Sequence, residues 1–301
     1  MRSEPTRPYR TNHAYHRARF VPYLFLTPGA VLLVLWNYIP AFYAIWISLT
    51  NAAPGNSSQF IGLANYVHLL SDPSFWHSLL RSLEYLLVVP VLVIIPLLVA
   101  MLMNQRLPGI GVFRALYFLP VVVSMVVVAI VFSEIFQTIG LLNVSLMSLH
   151  VLKQPISWLA LPSIAIFVVM LVTIWKGIGY YVIVYLAGLQ TVPQELTDSA
   201  KVDGANMWAR IRHVTVPLIW PFMMFVMIIS TLGAMQVFTE IYVLTGGGPL
   251  QTTTTLLFYV WQKTFSNYRF GYGAAAGEVI FVLLVALSYV EFRLSGRRWT
   301  T

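Results

Sequence analysis

Six stretches of this chain run for about twenty residues or more with almost no charge, the length an α-helix needs to cross roughly 30 Å of hydrocarbon. They lie at 22–49, 85–103, 112–136, 159–189, 217–240 and 274–292. Charged residues make up 9% of the 301 positions, against about a quarter in a soluble domain, and mean hydropathy is +0.77. A surface with so little charge belongs in lipid, so the expectation is an all-α integral membrane protein of six spans. The 159–189 stretch exceeds a straight perpendicular crossing, and Gly177 and Gly179 within it predict a bend or tilt. Prolines such as Pro28, Pro96 and Pro120 fall inside the stretches, where a membrane bundle tolerates them better than a water-exposed helix does.

Positive residues predict the orientation. One side receives Arg2, Arg7, Arg10, Arg17 and Arg19 in the tail 1–21, Arg106 and Arg114, then Lys201, Arg210 and Arg212, and finally Arg293, Arg297 and Arg298 in the tail 293–301. The other receives Arg81, Lys153, Lys263 and Arg269. Both termini are therefore expected in the cytoplasm. The net charge of +8 reads as this topology signal and a contact with membrane lipid headgroups, with no nucleic-acid partner. The first apolar stretch is longer than a signal-peptide core of about 7–15 residues and reads as an uncleaved span. Sequons at Asn56 and Asn143 are too short to carry weight.

The chemistry available is narrow. Without cysteine there is no thiolate site or disulfide. No glycine-rich phosphate loop, HExxH or nucleophile elbow occurs, and the histidines are scattered. The carboxylates Glu84, Glu134, Glu240, Glu278 and Glu291 sit mostly near span ends. The chain reads as a transport protein, not an enzyme, with no metal or cofactor of its own; uphill movement would draw energy from a partner or an ion gradient.

The loop 190–216, QTVPQELTDSAKVDGANMWARIRHVTV with its leading glutamine, is unusually elaborate. Thr191 with Gln194 fits a capping box, with Pro193 in the first turn. A short helix is expected over 195–202, Gly204 suits its C-terminal break, and a second short helix is expected over 206–213. Ser199, Ala200, Gly204 and Ala205 are small enough to let a helical corner press closely on another protein. Asp203 is placed to cap the turn or pair with a partner's cation. On residues alone, an interfacial amphipathic loop and a docking element fit equally.

Asp198-Ser199-Ala200, three residues, Gly204, nine residues, then Val214-Thr215-Val216-Pro217 resembles the EAA loop of binding-protein-dependent ABC importer permeases. That pattern is Glu-Ala-Ala, three residues, Gly, nine residues, Ile-x-Leu-Pro; the spacing matches and the departures (Asp198, Ser199, Val214, Val216) are conservative. Trp175-Lys176-Gly177, Leu186-Ala187-Gly188-Leu189-Gln190, Phe118-Leu119-Pro120, Gly140-Leu141-Leu142-Asn143 and Leu244-Thr245-Gly246-Gly247-Gly248-Pro249 are similar to the carbohydrate branch, of maltose F-type or glycerol-phosphate A-type. The large outer insertion of the maltose F-type is missing.

The resemblance implies a type I (MetI-like) permease bundle over about 78–292 in a bacterial or archaeal inner membrane. It also implies a second homologous permease, a homodimeric ATPase that holds ATP and Mg²⁺, and an extracytoplasmic solute-binding protein. Glu195, Asp198, Ser199, Ala200, Asp203, Gly204 and Ala205 would form the element that couples to the ATPase. The fourth and fifth spans would line a sugar pathway, with Trp175, Gly177, Tyr180, Tyr181, Gln236 and Glu240 as candidates. Packing between helices explains the aromatics more simply. Lys176, an expensive charge within a span, reads either as part of a polar pathway or as half of an ion pair. A glycerophosphodiester importer and a stand-alone gradient-driven carrier are the competing readings.

Overall fold

The computed structural model describes residues 21–105 and 109–296; most of the basic N-terminal tail, Arg106, Arg297 and Arg298 lie outside them. Among the described residues the chain is helical apart from an isolated bridge between Thr50 and Phe60. Four helices are long and apolar enough to cross a membrane, and two bent pairs bring the total to six.

The first span, α1 (Pro22–Ser48), has none of its apolar window buried within the chain. It passes a π turn at Val34–Tyr38, and its last turns pack against the final helix. A short α2 (Ala64–Leu70) follows, and the buried Asn65 donates to the carbonyls of Ser48 and Thr50, 2.8 Å each, tying α2 to the end of α1.

The second span is longer than its apolar stretch. Helix α3 (Pro73–Met103) starts where the Asp72 carboxylate accepts from the Ser74 N–H at 2.8 Å and Pro73 occupies the first turn, a strong start signal. Its first turns carry Ser, His, Arg and Glu, so hydropathy alone places the start too late, at 85.

The third span is two helices, α4 (Ile110–Val122) and α5 (Met125–Ile135), meeting at 100°. Val123 and Ser124 are extended between them. A loop containing α6 (Leu141–Ser148) is organised by Asn143, which is 1% exposed. Its amide donates to the carbonyls of Gln137, Thr138 and Ile156, and its carbonyl accepts from Ile156 N–H and the Trp158 indole. That side chain is fully used inside the fold, which explains why the sequon there means nothing.

The fourth span, α7 (Ala165–Gln190), runs unbroken through Gly177 and Gly179. It begins after the turns of 158–164 instead of at 159, and its 26 residues still exceed the roughly 20 that a perpendicular crossing needs. The glycines serve close approach: a Cβ at Gly179 would overlap the Tyr117 carbonyl of α4, and one at Gly177 would press on the Leu92 side chain of α3. Thr191 ends α7, its hydroxyl donating to the Gly188 carbonyl at 2.8 Å, and does not start the next helix as a capping box would have it.

Helices α8 (Gln194–Val202) and α9 (Met207–Leu218) lead to α10 (Trp220–Met235), bent 72° from α9. The fifth span thus ends at Met235, leaving Gln236 as its exposed C-cap and Glu240 on a separate α11 (Thr239–Leu244). The glycine turn after α11 is pinned by threonines: Thr253 and Thr254 donate to the carbonyls of Gly248 and Gly247, and Thr255 to that of Val237. Helix α12 (Leu256–Trp261) carries aromatic residues, and α13 (Phe270–Gly296) starts slightly before 274 and forms the last span. Inside the bundle the Thr231 hydroxyl of α10 donates to Glu291 of α13 at 2.6 Å.

Two apolar cores result. The larger joins α3, α5, α7, α10 and α11 around Tyr85, Val169, Val172, Tyr185 and Val226. The smaller gathers Leu69, Phe75, Leu256, Tyr259, Tyr272 and Ile280 beneath a polar cluster on Asp72. Its Oδ2 accepts from Tyr259 (2.7 Å), Tyr272 (3.1 Å) and Lys263 (3.2 Å), joining α2–α3, α12 and α13. Lys263 also lies over the Tyr259 ring and Arg269 over the Tyr272 ring. Burial opposes the Asp72 charge, but hydrogen bonds from Tyr259, Ser74 N–H and Lys263 outweigh it and hold the carboxyl well below its usual range.

Asp72→Asn leaves Lys263 without its counter-ion and is expected to cost about 3 kcal/mol, read as a lower unfolding midpoint of the detergent-solubilised chain. Because the folded carboxyl is depressed, the wild-type advantage is present above the unfolded value of about 3.9 and shrinks as pH falls below it. Gly179→Ala forces α4 and α7 apart and is expected to cost about 1–3 kcal/mol in the same measurement. Gly233→Ala, where an added Cβ meets nothing within 4 Å, is expected to be neutral or stabilising.

Candidate functional site

Two regions concentrate the candidates: the α8–α9 corner and one face of α7. Helix α8 carries no buried residue. Val202 is 88% exposed and Trp208, just beyond the corner, 67%, with Leu196 and Met207 also open. Such apolar exposure on a helix that is otherwise polar marks a surface made to meet something.

The corner itself is rigid. Gly204 has φ +80°, its N–H donates to the Lys201 carbonyl at 3.1 Å, and the Ala205 N–H donates to the Ala200 carbonyl at 2.9 Å. This pair of bonds is a Schellman stop, which needs the left-handed conformation that glycine adopts without a Cβ penalty. Asn206 then caps α9, accepting from the Ala209 N–H at 2.8 Å. Asp203 contributes its backbone to the helix end. Asp198 pairs with Lys201 at 2.7 Å and accepts from Gln194 at 3.3 Å; the Lys201 hydrogen bond outweighs slight desolvation and lowers its carboxyl. That pair is about half exposed and contributes little to stability. Glu195 and Ser199 are exposed, while Ala200 and Ala205 are half-buried. Between α8 and the ends of α3 and α7 lies a cavity of about 470 Å³, walled by Leu98, Met101 and Leu189 with Thr197 and Arg210 opposite. The corner therefore stands off the bundle, joined to it through three residues after α7 and through the start of α9.

On α7, the half-buried Lys176 has no carboxylate within 4 Å among the described residues. Its ammonium donates to the carbonyls of Val123 (2.6 Å) and Pro120 (3.2 Å), at the break of the third span. In an unbroken helix the Pro120 carbonyl would accept from residue 124; the 100° turn removes that donor. An ammonium at the centre of a span costs about 2.5–3.5 kcal/mol on the insertion scale, and hydrogen bonds to a charged group contribute about 1.5–3 kcal/mol each. The two bonds suffice to hold the charge there, and the C-terminal end of α4 favours a cation in addition.

One turn earlier, Thr173 bonds to the Tyr85 hydroxyl (2.6 Å) and donates to Glu240 (3.3 Å). Glu240 is thereby engaged with the bundle interior. Gly177 is packed on Leu92. Trp175 packs edge-on to Phe132, centroids 5.1 Å apart, and Tyr180 edge-on to Tyr181 at 5.3 Å, so these aromatics do meet neighbours. Each still leaves 43% of its surface open, as Gln236 is also open. Tyr181 is buried. Sequence reading named Lys176 and Glu240 but missed Thr173, Tyr85 and the two carbonyls. The spacing Thr173–Lys176–Tyr180, polar residues on one face of an apolar span, is the signal that was available.

Residues 61–301 match the family model described as "binding-protein-dependent transport system inner membrane component". The lactose transport system permease LacF of Rhizobium radiobacter is 34% identical over 281 residues, covering 92% of this chain and 94% of that protein. The trehalose/maltose permease MalF of Thermococcus litoralis is 32% identical, covering 96% and 98%. The glycerol-3-phosphate permease UgpA of Yersinia pestis is 30% identical, covering 93% and 95%. In fold, the chain is similar to the crystal structure of a bacterial ABC transporter that imports the acidic polysaccharide alginate, with TM-score 0.83, 23% identity, and coverage of 96% of this chain and 99% of that one. With helical spans, an interrupted third span and a loop of this spacing before the fifth, the chain belongs to the binding-protein-dependent transport system inner membrane components.

Proposed function

We propose that this chain is one of two permeases of an ATP-driven importer for a sugar or related polyol, with α8 as the helix that seats in the ATPase. The observation that carries the reading is the α8–α9 corner: a rigid Schellman turn presenting exposed Val202, Leu196 and Trp208 on the segment that follows α7, a helix unbroken from Ala165 to Gln190. The small Ser199, Ala200 and Gly204 allow the corner to enter a cleft, and Glu195, Asp198 and Asp203 supply charge for a basic rim. The α8 end of the bundle, with Lys201, Arg210 and Arg212, then faces the cytoplasm, and both termini lie there.

The second permease would cover the open faces of α1 and α7, a homodimeric ATPase with ATP and Mg²⁺ would sit below α8, and a solute-binding protein would dock at the opposite end. Relatives named for lactose, maltose and trehalose support a carbohydrate. Trp175 and Tyr180 offer open ring faces and Gln236 an amide for hydroxyl groups. The Lys176 ammonium is taken up by carbonyls, which favours a neutral polyol over an anionic ester at this helix.

The test is co-purification of this chain with the permease, ATPase and binding protein encoded beside it. Val202→Glu places a charge on the exposed apolar patch and is expected to weaken ATPase recovery about thirtyfold, the effect of losing one interface anchor, at unchanged membrane level. Gly204→Val, which cannot hold φ +80° without strain, is expected to do the same. A wild-type chain that recruits no ATPase overturns the reading and leaves a gradient-driven carrier.

A further inference from the structure

Three successive turns of one face of α7 are tied to two other elements, α11 and the C-terminal half of α4. Thr173 donates to Glu240 of α11, Lys176 donates to the carbonyls of Pro120 and Val123 at the break between α4 and α5, and Gly179 lies against the Tyr117 carbonyl of α4. Tyr117, Pro120 and Val123 follow at intervals of three, so α4 presents one row of backbone carbonyls to this face. Helix α5, beyond the break, packs mainly on α11 and meets α7 through Phe132 against Trp175. The same α7 runs without interruption to Gln190, and α8 starts at Gln194.

We propose that Lys176 is a positioning residue of the transport cycle: it clamps α4 to α7 at the break in the third span, so that displacement of α8 moves α4 and α7 as one body and is taken up at Val123–Ser124. The extended backbone of those two residues makes no helical hydrogen bond across the turn, so the break bends without losing ladder bonds. Gly179 sets how closely the two helices approach, and Lys176 sets where along them they are fixed. A methionine at 176 fills the same space but leaves both carbonyls in a dry environment without a donor. An arginine retains the charge and the donors.

The inference rests on the ATPase-coupled reading only for its second half, and the experiment separates the two. The chain has no cysteine, so spin labels can be placed in the otherwise unchanged protein. One pair, Leu119→Cys with Ile183→Cys, spans α4 and α7; a second, Val131→Cys with Ile183→Cys, spans α5 and α7. All three sites are exposed. Distances are measured by pulsed electron resonance in lipid nanodiscs, first on the chain alone and then on the co-purified complex, nucleotide-free and trapped with ATP and vanadate.

The expected result is one narrow α4–α7 distance in every state, with the α5–α7 distance shifting on trapping. Lys176→Met broadens the α4–α7 distribution several-fold and lowers binding-protein stimulation of ATP hydrolysis about tenfold, in the usual range of coupling between sites. Lys176→Arg restores both. A narrow α4–α7 distance in Lys176→Met overturns the clamp, whether or not transport is lost, because a solute ligand would leave that distance unchanged. An α4–α7 distance that itself shifts on trapping in the wild type also overturns it. If no ATPase assembles, the coupling reading fails, and the width measured on the chain alone still decides the clamp.

Discussion

A helix broken inside a bilayer exposes carbonyls that water cannot reach, and each one left unpaired costs several kcal/mol. The third span of this chain is bent by 100°, so the fold has to supply donors from elsewhere. It does so with an ammonium from the neighbouring span, Lys176 on α7. The arrangement answers two costs together: the carbonyls gain a donor and the charge gains acceptors. Around it, Thr173, Tyr85 and Glu240 apply the same rule to a second set of polar groups. Polar side chains inside the bundle meet partners on other helices, as Thr231 of α10 and Glu291 of α13 do.

Small residues determine how closely the helices can work on that interior. Gly179 lets α7 lie against the α4 backbone, and Gly188 lets it lie against Phe222 of α10. In each case the vacancy of a Cβ is what permits contact, and α7 stays continuous because its glycines are packed. Helix α7 runs unbroken from Thr173 to Gln190, three residues short of α8 and its corner at Gly204, whereas a kink at Gly177 would separate the two regions.

The two ends of the bundle differ in the same physical terms. At the α8 end, exposed apolar side chains and small residues stand on a Schellman turn with a cavity behind them, a geometry that is incomplete without a partner. At the opposite end, Asp72, Asn143 and the threonines after the glycine turn satisfy buried polar groups within the chain. One end is built to engage; the other is built to hold loops in place. Both ends belong to a chain of the binding-protein-dependent transport system inner membrane components.

The apolar stretches, the basic loops and the residue spacing around Gly204 were legible in the sequence because each depends on local composition: hydrocarbon thickness sets a length, and a left-handed turn selects glycine. The same local logic misplaced what packing decides. Hydropathy put the start of the second span at 85 because the helical turns from Pro73 are amphipathic, and it read the third span as a single helix because a bend of 100° leaves no mark on apolar content. Thr191 looked like an N-cap, yet it closes α7 through Gly188. Lys176 was visible as an anomaly but its purpose was not, since its acceptors are backbone carbonyls more than fifty positions away, and a carbonyl has no residue identity. Composition and spacing determined that this chain crosses a membrane and turns a helical corner at Gly204. Only the tertiary structure decided which polar groups meet inside it, because that depends on where the helices break.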